Sequence, residues 1–124
     1  PCTKLSIYKD GGVEKATRSL VEEFKDILQI SCAGDMWLDC MAKDVNKGHA
    51  VKVIQESLGI KPEETMAFGD GNNDASMIRD AGIGVVMENG DPDLKGIADY
   101  ITATNDESGV AQAIEKLVLS EENK

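Results

Sequence analysis

The chain has 124 residues, enough for one domain, or one domain and part of another, with a core that needs no disulfides. Thirteen Lys and Arg against 23 Asp and Glu give a net charge of −10. That excludes the broad basic face by which proteins grip nucleic acid or anionic membrane, but leaves room for a local positive pocket around a small phosphorylated molecule. A hydrophobic content of 41% with 29% charged residues is that of a folded globular chain.

Lys4–Tyr8 alternates in polarity and predicts a half-buried strand, followed by a break at Asp10-Gly11-Gly12. Val13, Ala16, Leu20, Phe24 and Ile27 recur at steps of three and four, which predicts an amphipathic helix over 13–26. Leu28, Ile30 and Cys32 alternate, Ala33-Gly34-Asp35 turns the chain, and Met36, Leu38 and Cys40 alternate back, so 28–42 reads as a hairpin. The texture changes at 43–46, where a domain boundary is expected. Ala50, Val51, Ile54 and Leu58 then mark one face of a helix over 48–58, stopped by Gly59. A turn at Pro62-Glu63-Glu64 leads to a short strand over 65–68, and a helix over 74–81 follows. Ile83–Met87 has the continuous apolar character of a strand buried on both faces. A short helix near Leu94, a strand at Tyr100-Ile101-Thr102 and a last helix over 110–118 complete the pattern, with Ser120–Lys124 expected to fray. Helices and strands alternate from 48 to 119, the signature of a parallel sheet covered on both faces.

No apolar run reaches the ~18–20 residues of a membrane-spanning helix, and the first residues lack the basic-then-apolar pattern of a secretory signal. The three cysteines, Cys2, Cys32 and Cys40, are an odd and sparse set. Reduced thiols in a cytoplasmic protein are the expectation; Cys32 and Cys40 stand on neighbouring strands, but their spacing does not demand a bond.

The strongest chemical signal is Gly69-Asp70-Gly71-Asn72-Asn73-Asp74, directly after a buried-looking strand. In open α/β sheets ligands bind beyond the carboxyl ends of strands, where this segment falls. Gly69 and Gly71 permit close approach of a ligand. Asp70 and Asp74 are carboxylates four residues apart, hard ligands of the kind that hold Mg²⁺ together with a substrate phosphate. The competing reading is a plain turn whose Asn and Asp cap the next helix. Lys47 precedes a helix whose first N–H groups favour an anion, and its ammonium suits a phosphoryl oxygen. Asn73 offers an amide for a phosphate oxygen, or else a helix cap. His49 reads as a surface helix residue, Trp37 as packing, Asn105-Asp106-Glu107 as a loop and cap, and Pro92 after Asp91 as a helix start.

Asn46-Lys47-Gly48, followed 23 residues after Lys47 by Asp70 within Gly-Asp-Gly-Asn-Asn-Asp, resembles the haloacid dehalogenase (HAD) superfamily. The closest subgroup is the Cof-type phosphatases with a type IIB cap. Gly82–Asn89 and Ala98–Thr102 also resemble that subgroup's last strands. The resemblance implies an α/β fold: a partial α+β cap over 1–43, the C-terminal half of a Rossmann-like core over 44–119, and a tail at 120–124. It implies that Lys47 stabilises the transferring phosphoryl group and that Asp70 binds Mg²⁺. It further implies that Asn73 contacts the phosphate and that Asp74 supports the metal from behind its direct ligand. The activity implied is hydrolysis of small phosphate monoesters, sugar or cofactor phosphates, through an aspartyl-phosphate.

One departure is large. The superfamily's first motif, Asp-x-Asp-x-Thr after an apolar strand, is absent; Asp91-Pro92-Asp93 is the only Asp-x-Asp and has the wrong setting. The second-motif Ser or Thr is not assignable. The chain is therefore expected to be the C-terminal portion of a longer enzyme, inactive alone, with the missing N-terminal half as its partner and exposed edges prone to self-association. Two other readings stand beside it. One is a non-catalytic module that binds Mg²⁺ or phosphate, or that merely assembles with a partner. The other is the phosphorylation domain of an ion pump, against which the β-α-β-β opening and the absence of membrane segments both weigh.

Overall fold

The computed structural model describes residues 2–32 and 34–120; Ala33 of the expected turn and residues 121–124 of the expected tail lie outside them. Among the described residues two three-stranded sheets form. The first comprises β1 (Lys4–Tyr8), β2 (Leu28–Cys32) and β3 (Trp37–Ala42), antiparallel in the order β1-β3-β2, with α1 (Glu14–Phe24) between β1 and β2 in sequence. The second comprises β4 (Met66–Gly69), β5 (Ile83–Met87) and β6 (Tyr100–Thr102), parallel and in sequential order. Its helices are α2 (Lys47–Leu58), α3 (Ala75–Asp80), α4 (Pro92–Lys95) and α5 (Gly109–Ile114), the last running on into a π-helical turn over Glu115–Leu119.

Each sheet has its own apolar cluster. Val13, Leu38 and Cys40 are buried with Leu20, Leu28 and Ile30 against them. Ala67, Ile78, Val86 and Leu94 form the other, with Ala75, Met77, Ala81 and Ala98 alongside. β5 is buried along nearly its whole length, as a central strand covered on both faces must be.

The expected half-burial of β1 is not found: all five of its residues are exposed. The register explains why. Leu5 lies opposite Cys40 and Ile7 opposite Leu38, so their side chains share the α1 side of the sheet. α1 packs over β2 and β3 and leaves β1 uncovered, so Leu5 remains 56% exposed. The 50/54/58 stripe of α2 is likewise not covered: α2 rests on α3, and Ile54 and Leu58 face outward. Alternation and periodicity fix which side chains share a face, not whether anything lies against it.

Helix α1 is shorter than expected, because Val13 serves as its N-cap and Lys25 as its C-cap. α2 begins one residue earlier than expected. Asn46 is the N-cap, its side chain accepting the His49 N–H at 2.9 Å, which makes Lys47 the first helical residue. Such a cap stabilises a helix by ~1 kcal/mol. Gly59, at φ 67°, closes the other end. The expected helix over 74–81 divides into a 3₁₀ turn at Asn72–Asp74 and the shorter α3. All three cysteines are free thiols, Cys40 buried and Cys32 exposed. Among the described residues no helix is long and apolar enough to cross a membrane.

Candidate functional site

β4 ends at Gly69, and the chain turns through Asp70 and Gly71 into the 3₁₀ turn. The Asp74 side chain organises that turn. It is buried, and its Oδ2 accepts the N–H of Asp70 at 3.0 Å and of Gly71 at 3.2 Å. A Cβ on Gly69 would stand 2.6 Å from Asp74 Cβ, so glycine here admits the Asp74 side chain rather than a ligand.

Oδ1 of Asp74 accepts a hydrogen bond from the ammonium of Lys47, on the first turn of α2. Lys47 reaches it because α2 crosses α3 at very short range. Gly48 donates its N–H to Ser76 Oγ at 2.9 Å, and a Cβ on Gly48 would lie 2.8 Å from the Ser76 backbone carbon. Lys47 and the Asp70 loop therefore meet at one rim of the parallel sheet, though 23 residues separate Lys47 from Asp70. Lys47 is 49% exposed, so the ammonium, with three donors, keeps capacity beyond its bond to Asp74.

Asp70 is exposed at the strand tip, and its carboxylate has no hydrogen-bond partner among the described residues. The Asn73 amide is also without one; it caps no helix, since Gly71 is the N-cap of the 3₁₀ turn. Both oxygens of Asp74 are occupied. Among the described residues no group of three or more His, Cys, Asp or Glu stands ready to hold a metal ion. One free carboxylate at a strand tip, backed by a buried one, fits Mg²⁺, which commonly takes one or two protein carboxylates and completes its shell with water and substrate phosphate.

Lys47, Asp70, Gly71, Asn72 and Asn73 line an open cleft of about 1490 Å³. That exceeds the roughly 300–1,000 Å³ of an ordinary small-ligand pocket. Lys4, Asp39, Gln29 and Ser31 of the first sheet line it as well. There Ser6 Oγ donates to Asp39 Oδ1 at 2.6 Å and Lys4 Nζ to Oδ2 at 3.0 Å, and these bonds hold the Asp39 carboxyl below the ordinary carboxylate range. Burial pushes the neighbouring Cys40 thiol up, with the Asp39 charge adding to it. His49 is exposed, as expected. Trp37 is also exposed, its ring 5.0 Å from that of Tyr8 between centroids. Sequence reasoning missed Ser76, whose hydroxyl shows no pattern, and the reach of Asp91, whose local role as N-cap of α4 conceals a bond from Asn72.

A lysine at a helix start is joined through a buried aspartate to an acidic loop at a parallel strand tip, which brings together the residues on which the HAD resemblance rests. The model of the haloacid dehalogenase-like hydrolase family matches residues 1–114. The chain belongs to that family, within the Cof-type HAD hydrolases. It is 43% identical over 108 residues to a putative phosphatase of Streptococcus pyogenes serotype M6, covering 87% of this chain and 40% of that protein. It is 44% identical over 92 residues to the 5-amino-6-(5-phospho-D-ribitylamino)uracil phosphatase YcsE of Bacillus subtilis, covering 74% and 37%. Among solved structures, the HAD subclass IIB sugar phosphatase BT4131 superposes with a TM-score of 0.84 at 33% identity, over 95% of this chain and 44% of that one. A haloacid dehalogenase-like hydrolase from B. subtilis gives 0.84 at 31%, over 94% and 41%. The chain thus spans less than half the length of these relatives.

Proposed function

We propose that this chain is the Lys47- and Asp70-bearing portion of a Mg²⁺-dependent hydrolase of small phosphate monoesters. Residues 1–43 are the partial type IIB cap, 44–119 the C-terminal half of the core, and 120–124 a tail. What supports this most is three underused groups at one rim: the remaining donors of Lys47, the Asp70 carboxylate and the Asn73 amide. Their chemistry matches a phosphate ester with its counterion. The phosphatase names of the relatives point the same way.

In this reading Asp70 is the direct carboxylate ligand for Mg²⁺, and Asp74 holds Asp70 and Lys47 in place. Bound Mg²⁺ would neutralise charge on the phosphoryl oxygens. Lys47 pairs with the charge that grows on those oxygens as the ester bond loosens, and Asn73 donates to one of them. Phosphoryl transfer leaves mainly charge to stabilise, so a fixed ammonium does much of the work. The carboxylate that forms the aspartyl-phosphate, and the acid that protonates the leaving alkoxide, come from polypeptide outside this sequence.

The test uses the chain alone and the chain joined to an N-terminal half bearing Asp-x-Asp-x-Thr. Alone it should turn over no sugar or cofactor phosphate. Joined, it should show Mg²⁺-dependent hydrolysis that Lys47→Ala lowers by ~10²–10³-fold in kcat. A joined protein with no Mg²⁺-dependent activity on any ester contradicts the reading. The second reading, a binding module without turnover, is favoured by the single free carboxylate at the loop; it requires Mg²⁺ or phosphate binding that persists while the joined protein stays inactive.

A further inference from the structure

The loop between β5 and α4 is bonded to the Asp70 loop at two points. The N–H of Asp91 donates to the carbonyl of Asp70 at 2.8 Å. The side-chain amide of Asn72 donates to Asp91 Oδ2 at 2.8 Å, while Oδ1 of Asp91 accepts the N–H of Asp93 at 2.8 Å and so caps α4. Gly90 makes the approach possible, since a Cβ there would lie 3.1 Å from both Cα and O of Asp70. The Asp70 peptide is thus gripped from both sides, its N–H by Asp74 and its C=O by the backbone of Asp91.

We propose that Asp91 is a positioning residue: it latches the Asp70 loop to the end of β5 and so fixes where the Asp70 carboxylate stands. The inference rests on the reading of Asp70 as the metal-facing carboxylate, but the latch itself is measurable without metal. Both Asp91 oxygens are taken by donors, so its work lies in those bonds and not in its charge. Asparagine, whose carbonyl can cap α4 while its amide meets a flipped Asn72, should replace it; alanine should not.

Amide hydrogen exchange of the 124-residue chain decides the matter. In Asp91→Ala, and in Asn72→Ala, which leaves the α4 cap intact, the Asp70 and Gly71 amides should exchange about five- to tenfold faster, the size expected for losing a cap-like bond. The β5 amides should not change, and Asp91→Asn should stay within about twofold of wild type at all these sites. Unchanged Asp70 and Gly71 amides in both alanine variants overturn the latch, as does an equal rise along β5 or an Asp91→Asn that behaves like Asp91→Ala. If Asp91→Ala does not fold, Asn72→Ala alone carries the decision. A parallel Mn²⁺ titration read by water-proton relaxation addresses the reading beneath it. Failure of wild type to bind Mn²⁺ removes the metal role of Asp70 while the exchange data still judge the latch.

Discussion

Lys47 donates to Asp74 across a sequence separation of 27 residues, and the second oxygen of the same carboxylate holds the N–H groups of Asp70 and Gly71. One buried aspartate thereby couples a lysine on one element to the Asp70 loop on another. Neither could shift far without the other losing its hold.

Asp74→Ala should cost about 1–3 kcal/mol in urea unfolding, the range for backbone donors losing a buried acceptor. The ion-pair contribution is discounted, because Lys47 is half exposed and water screens it. A loss below about 0.5 kcal/mol would mean that solvent replaces the carboxylate and that the loop does not depend on it.

Gly48→Ala sets two effects against each other. Alanine favours a helix over glycine by about 1 kcal/mol, but its Cβ would sit 2.8 Å from the backbone of Ser76. Overpacking of that kind costs about 1–3 kcal/mol, so the variant should melt below wild type. Ser76→Gly in the same chain should restore only part of the loss, because the clashing backbone carbon remains. A melting temperature above wild type would contradict the tight crossing of α2 and α3.

The Asp39 carboxyl, lowered by its bonds from Ser6 and Lys4, makes a pH-dependent contribution. A depressed folded pKa stabilises the fold above the unfolded value of about 3.9 and loses that effect as pH falls through the folded value. Asp39→Asn should therefore be less stable than wild type near neutrality, and the gap should close as the pH drops below about 4. A gap that stays constant from neutral to acid pH would show that charge on Asp39 is irrelevant.

Much of this was legible in the sequence because it is local. The 28–42 hairpin, the buried Ile83–Met87 strand and the Gly59 stop each follow from spacing or a single conformational requirement. The meeting of Lys47 with the Asp70 loop was expected from the strand-tip rule and the family resemblance. The job of Asp74 was not: its carboxylate reaches back three and four residues only because Asn72–Asp74 forms a 3₁₀ turn, which a helix expected over 74–81 obscures. Leu5 and Ile7 alternate correctly yet stay exposed, since a pattern identifies a face and not its cover. Asp91 hid behind a sufficient local explanation, a helix cap before proline, while its bond from Asn72 spans 19 residues.

With one carboxylate free at the loop, Mg²⁺ should bind the chain weakly by calorimetry, and addition of inorganic phosphate should strengthen it, because phosphate supplies the oxygens the protein lacks. Tight binding of Mg²⁺ alone would reveal a fuller set of ligands than Asp70 with Asp74 behind it.

The most direct measurement is an NMR titration of the chain with Mg²⁺ and inorganic phosphate, following the Lys47 side-chain ammonium and the backbone amides together. Lys47, Asp70, Gly71 and Asn73 should move as one group, with phosphate shifting Lys47 only when Mg²⁺ is present, and Asp70→Asn should abolish the response. Shifts confined to other lysines, or a Lys47 response untouched by Asp70→Asn, would show that the two groups do not serve a common ligand.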